Sequence, residues 1–84
     1  MVKDIALVDN RKLLERIKRG HVQNIRFDDL VRLVEAYEFR LSRVRGSHHY
    51  FVHERLPEVL NLQPVNGQAK DYQVKQLLRL IEGD

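Results

Sequence analysis

Residues 39–51 read FRLSRVRGSHHYF, and the pair Gly46 and Ser47 separates two runs with strand-like alternation. Side chains that alternate between two faces are typical of a β-strand, and a glycine between two such runs is typical of a hairpin turn. We therefore predict strands over residues 39–45 and 48–53. The turn brings two neighbouring histidines to the start of the second strand, which makes it the first place to search for chemistry.

Outward from this hairpin, the apolar spacing predicts three helices, over residues 10–19, 28–37 and 70–82. Pro57 is expected to interrupt pairing, so the third strand is predicted over residues 59–62. The order is α-α-β-β-β-α. Because the helices do not alternate with the strands, we predict an α+β fold in which a three-stranded antiparallel sheet carries helices on one face.

Length and composition limit the function. A chain of 84 residues forms one small domain that buries about 60% of its unfolded surface, which favours a site on an exposed face over a large cavity. The absence of cysteine excludes disulfides, thiolate zinc sites and a cysteine nucleophile. No apolar run approaches the roughly 20 residues that cross a bilayer, so we expect a cytoplasmic protein without membrane contact.

The net charge is +3, and between Arg11 and Arg45 the basic residues clearly outnumber the acidic ones. This imbalance suits a polyanion or an acidic protein partner, because phosphate contacts supply most of the non-specific affinity for nucleic acids. The alternative is a basic surface that only keeps the protein soluble.

Strand geometry tests whether the histidines bind metal. His49 and His53 share a face but lie about 13 Å apart, too far to share one ion, and His48 points to the opposite face. We therefore expect no metal and no cofactor.

Strict alternation also places Leu41 and Arg43 on one face of the first strand, and it leaves open which face of the second strand is buried.

What remains is a histidine behind a Gly-Ser turn with three arginines just before it, Arg40, Arg43 and Arg45. RNA cleavage requires a base that titrates near neutral pH, to take the proton of a 2′-hydroxyl, and cations to bind the phosphate. Many hairpins without catalytic function also contain histidine beside arginine. The residues alone leave both readings open.

Residues 39–53, with the apolar helix before them, resemble the HicA toxins of bacterial and archaeal toxin–antitoxin modules, and the element order agrees over residues 27–82. The resemblance implies a fold like a double-stranded RNA-binding domain, a messenger RNA endoribonuclease, and a HicB-type antitoxin partner. It assigns catalysis to His48, which follows Gly46 and Ser47, and makes His49 a flanking residue. No small-molecule cofactor is implied.

With this resemblance, we expect basic residues to contact RNA: Arg43 and Arg45 in the first strand to position phosphate, and Lys70, Lys75 and Arg79 of the last helix to add backbone contacts. Two departures from the family pattern are visible. Residues 62–65 read LQPV where the family usually has a second histidine, and residues 1–26 precede the family domain.

We therefore divide the chain into an N-terminal extension with one helix, residues 1–26, and a HicA-like domain, residues 27–84, within one compact unit. Residues 1–8 have no strong period and are predicted to be an extended lead-in. Two alternative functions remain: a non-catalytic RNA-binding or antitoxin-binding module of the same fold, and a structural domain whose open sheet face receives another protein.

Overall fold

The computed structural model describes residues 9–83. It contains, in chain order, α1 (Asn10–Lys18), α2 (Phe27–Ala36), β1 (Arg40–Arg45), β2 (His48–His53), β3 (Leu56–Leu62) and α3 (Asp71–Glu82). The predicted α+β class and the order α-α-β-β-β-α are confirmed. The lead-in predicted for residues 1–8 lies outside the described residues.

The three strands form one antiparallel sheet with β2 in the centre. A bulge between Leu41 and Arg43 shifts the register of β1, so that Leu41 pairs with Phe51 and Arg43 pairs with Tyr50. Paired residues share a face of the sheet, whereas neighbours on one strand point to opposite faces. Leu41 and Arg43 therefore lie on opposite faces, and the prediction of strict alternation was wrong because a bulge inserts one extra residue.

Pro57 lies inside β3, which begins at Leu56 rather than at residue 59. The predicted start at residue 59 was wrong, but pairing is interrupted at Pro57 as predicted, because the register gives residues 57–59 no partner on β2. β3 is an edge strand, where a residue without an N–H group need not remove a hydrogen bond to the neighbouring strand. The register of the β2–β3 pair also shifts between Phe51 and His53, close to this proline.

One hydrophobic core joins all three helices to β2 and β3. Its buried members are Leu13, Ile17, Val22, Ile25, Phe27, Leu30, Leu33, Val34, Phe39, Phe51, Leu60, Leu62, Ala69, Val74 and Leu77. Phe51 is 1% exposed, so the face of β2 that carries His49, Phe51 and His53 is the buried one. The face that carries His48 is consequently the open face of the sheet.

α1 contributes Leu13 and Ile17 to this core and is capped at its start by Asp9. The Asp9 carboxylate accepts a 2.8 Å hydrogen bond from the Arg11 backbone N–H, and that hydrogen bond lowers the pKa of Asp9.

Within residues 9–83, no helix has the length and apolar character required to cross a membrane.

Candidate active site on the open sheet face

The hairpin turn positions the site. Gly46 has a φ of +56°, in the left-handed region that favours glycine, and it links Arg45 at the end of β1 to His48 at the start of β2. Arg45 and His48 are cross-strand partners. The turn therefore places a histidine and an arginine side by side on the open face.

The imidazole of His48 is half-buried and is contacted from two sides. Its Nδ1 lies 3.2 Å from Oδ1 of Asn61 on β3, and its ring stacks with that of Tyr50, with 6.2 Å between the centroids and an angle of 22° between the planes. The guanidinium of Arg43 lies over the Tyr50 ring, 4.8 Å from its centroid. Arg43, Tyr50 and His48 thus form one row on the open face.

The other two histidines of β2 pack toward the helices. The His49 ring lies 4.9 Å from that of Phe27, and the His53 ring lies 5.0 Å from that of Phe39, both edge-on. His49 and His48 therefore point to opposite faces, as strand geometry predicted. Among residues 9–83 there is no group of three or more histidine, cysteine or acidic side chains that could hold a metal ion.

A chain of hydrogen bonds connects the hairpin turn to the start of α3. Gln63 Nε2 donates to Ser47 Oγ at 3.0 Å, and Lys70 Nζ donates to Gln63 Oε1 at 2.9 Å. The backbone N–H of Gln63 donates to Oε1 of the buried Gln73 at 2.8 Å. These contacts hold the ammonium group of Lys70 near the turn that carries His48.

The segment that builds this site also matches a known protein family. Residues 27–82, from the start of α2 to the end of α3, match the family described as the HicA toxin of bacterial toxin–antitoxin systems. The chain belongs to the HicA toxin family. It is accordingly a toxin of a toxin–antitoxin system, a class of protein that works with an antitoxin partner. No curated protein and no solved structure matches the chain.

The structure of this HicA toxin brings together only some of the residues predicted to act with His48. Arg43 and Arg45 share its face of the sheet, and Lys70 reaches the turn through Gln63. Lys75 and Arg79 are exposed on α3 and make no hydrogen bond to the hairpin among the described residues.

Sequence reasoning missed Asn61, Gln63 and Tyr50 as members of the site. A signal for Asn61 was present: it lies between two leucines, Leu60 and Leu62, of the predicted third strand, and alternation places it on the face opposite to theirs. For Gln63 we find no comparable signal, because its partners Ser47 and Lys70 are joined to it only through the packing of α3 against the sheet.

Substitution of Gly46 by alanine tests the turn of this HicA toxin. A Cβ at this position would meet no atom within 4 Å, so only the left-handed backbone conformation is penalised. We expect Gly46→Ala to lower the free energy of unfolding by about 1 kcal/mol, and Gly46→Asn to cost less because asparagine tolerates this conformation. Urea denaturation measures both. Equal losses for the two variants would contradict the explanation from backbone conformation.

Proposed function

We propose that this toxin is an endoribonuclease that cleaves messenger RNA, with His48 as the general base and without a catalytic metal. The observation that carries the proposal is the position of His48 on the open sheet face, beside Arg45 and in a row with Tyr50 and Arg43. An exposed sheet face can receive an extended polymer. The test is RNA cleavage by the wild-type and His48→Ala proteins, with the ends of the products mapped.

The proposed reaction uses the RNA itself as the nucleophile. His48 takes the proton of a 2′-hydroxyl, the 2′-oxygen forms a bond to the adjacent phosphorus, and the bond from phosphorus to the 5′-oxygen breaks. The leaving 5′-oxygen takes a proton from the solvent, and His48 later releases its own. The products are a 2′,3′-cyclic phosphate end and a 5′-hydroxyl end, so one histidine is sufficient for this scheme.

The arginines of β1 would hold the scissile phosphate. Arg43 and Arg45 share the face of His48, and the guanidinium of Arg43 is restrained by its contact with the Tyr50 ring. A cation held in place stabilises the negative charge that develops on the phosphate oxygens. We propose that Lys70, Lys75 and Arg79 contact the sugar–phosphate backbone further along the RNA. Of these three residues, Lys70 is connected to the hairpin turn through its hydrogen bond to Gln63, which in turn bonds to Ser47.

Removing both arginines should weaken RNA binding and make it less dependent on salt. The Arg43→Ala/Arg45→Ala variant is built in a His48→Ala background to prevent cleavage. Each phosphate contact on a single strand contributes about 0.7 to the magnitude of the slope of log K against log salt. Loss of two contacts should therefore reduce the magnitude of this slope by about 1.4. Titration of labelled RNA at several salt concentrations measures the slope.

The matched control for this titration is Arg11→Ala/Arg19→Ala, which removes two exposed charges, one from α1 and one from the residue that follows it, both before the matched family segment. We expect this control to leave the slope within about 0.3 of the parent value, less than half of one phosphate contact. Equal losses of slope in the two double variants would show that net charge, rather than the open sheet face, determines binding.

The partner that we propose is a HicB-type antitoxin, because the family implies an antitoxin in general. We also propose that residues 1–26 are an extension of the family domain, and that its described part, residues 9–26, folds with that domain. The packing of Leu13 and Ile17 into the common core supports this division, as does the start of the family match at residue 27.

The second candidate function is an RNA-binding module that does not cut. The observation in its favour is the sequence LQPV at residues 62–65, where the family pattern usually has a second histidine. A wild-type protein that binds RNA with strong salt dependence but leaves it intact would establish this alternative.

A further inference from the structure

Asn61 is the residue of β3 that reaches His48. It lies between Leu60 and Leu62, which are both fully buried, so its side chain points to the open face of the sheet. Its cross-strand partner is Tyr50, and from this position its Oδ1 lies 3.2 Å from Nδ1 of His48. A diagonal pair of this kind on one sheet face is within reach of long side chains.

This contact favours one of the two positions for the proton on the neutral imidazole. A carboxamide oxygen only accepts hydrogen bonds, so with Oδ1 facing the ring the hydrogen bond forms only in the tautomer in which Nδ1 carries the hydrogen. In the neutral imidazole, the lone pair available for a proton is then on Nε2. Nε2 of His48 has no hydrogen-bond partner among the described residues, which leaves it free for substrate.

We propose that Asn61 is a positioning residue that selects the Nδ1–H tautomer of His48 and presents Nε2 as the base. The inference rests on the proposed function, because it names the atom that removes the 2′-hydroxyl proton. Asn61 itself does not contact the reacting atoms. Stacking on Tyr50 restrains the plane of the ring, and the hydrogen bond that the ring donates to Asn61 restrains its rotation.

An amide is suited to this position because it is uncharged. A carboxylate at the same distance from Nδ1 would also accept the hydrogen bond, but it would favour the charged imidazolium over the neutral base. Asn61→Asp therefore preserves the geometry and changes the electrostatics, whereas Asn61→Ala removes the contact. A structural contribution of Asn61 to the stability of β3 would not produce this difference between the two variants.

The first measurement is the tautomer of His48, read from long-range ¹H–¹⁵N NMR spectra of the full chain above the pH at which the ring is protonated, with the signals assigned by comparison with His48→Ala. We expect the Nδ1–H form in the wild type and in Asn61→Asp, and a shift toward the Nε2–H form in Asn61→Ala. An Nε2–H tautomer in the wild type, or an unchanged tautomer in Asn61→Ala, would overturn the proposal.

The second measurement is the pH dependence of RNA cleavage. Asn61→Ala should lower kcat by about 10- to 100-fold, with KM within about twofold of the wild-type value, as expected when a hydrogen bond that orients a functional histidine is lost. Asn61→Asp should retain more activity than Asn61→Ala, and the acidic limb of its profile should move to higher pH. Identical profiles for Asn61→Asp and the wild type would contradict the assigned contact.

The matched control is Val59→Ala, an exposed residue two positions before Asn61 on the same strand. It should change neither the tautomer nor the profile. The proposed function and the role of Asn61 can fail separately. If the wild-type protein never cuts RNA, the proposed function is wrong, and the NMR measurement still shows whether Asn61 selects the tautomer. A wild type that cuts, with Asn61→Ala equally active, removes only the role of Asn61.

Discussion

Replacing His48 with alanine lowers the rate of RNA cleavage by about 10²- to 10⁴-fold, the range that general acid–base catalysis contributes. The fold persists, because the imidazole is half-buried at the surface and loses only one hydrogen bond and one ring contact, together about 1 kcal/mol. Expression of His48→Ala should consequently not arrest growth. Cleavage of RNA by the purified proteins and the growth of expressing cells measure the two effects.

His53→Ala is the control for this experiment, since it removes an imidazole from the same strand but from the helix-facing side, where His53 packs against Phe39. It should cost some stability and leave the chemistry at His48 intact. Undiminished growth arrest by His48→Ala would remove that residue from the mechanism. Products that end in a 3′-hydroxyl would contradict the attack by a 2′-oxygen, because that end requires a different nucleophile.

Replacing Phe51 with alanine lowers the free energy of unfolding by about 3–5 kcal/mol, the usual cost of removing a buried aromatic side chain. Phe51 is 1% exposed in the centre of β2 and packs in the core that the helices form with the sheet. Typical domains have only about 5–15 kcal/mol of stability, so a small domain would be close to unfolding. Cleavage activity should fall with the folded fraction. Urea denaturation followed by circular dichroism measures the loss.

Val44→Ala is the matched control, because Val44 pairs with His49 and so lies on the same sheet face as Phe51, yet it is 49% exposed. The helices cover β2 and β3 but leave the side chains of β1 exposed. We expect a change within about 0.5 kcal/mol for this surface position. Similar losses for Phe51→Ala and Val44→Ala would mean that the buried face of the hairpin has been assigned incorrectly.

The helices and the central strand could be predicted because their signals are local. Apolar residues recur at helical spacing along α2 and α3, and the glycine turn defines the start of β2, whose predicted bounds of 48–53 agree with the structure. The bulge in β1 and the extension of β3 through Pro57 to Leu56 could not be predicted in the same way. Both depend on how the strands are aligned with β2, and the alternation within a single strand does not report that alignment.

The sequence by itself determined the α+β order, the glycine turn and the presence of a histidine beside arginines, and the resemblance to the HicA family distinguished His48 from His49. The tertiary structure decided which face of β2 is buried, because both faces carry mixed side chains and only the packing of the helices separates them. It also decided the surroundings of His48. Asn61 lies 13 residues away along the chain, and only the register of β2 and β3 brings its amide to the imidazole.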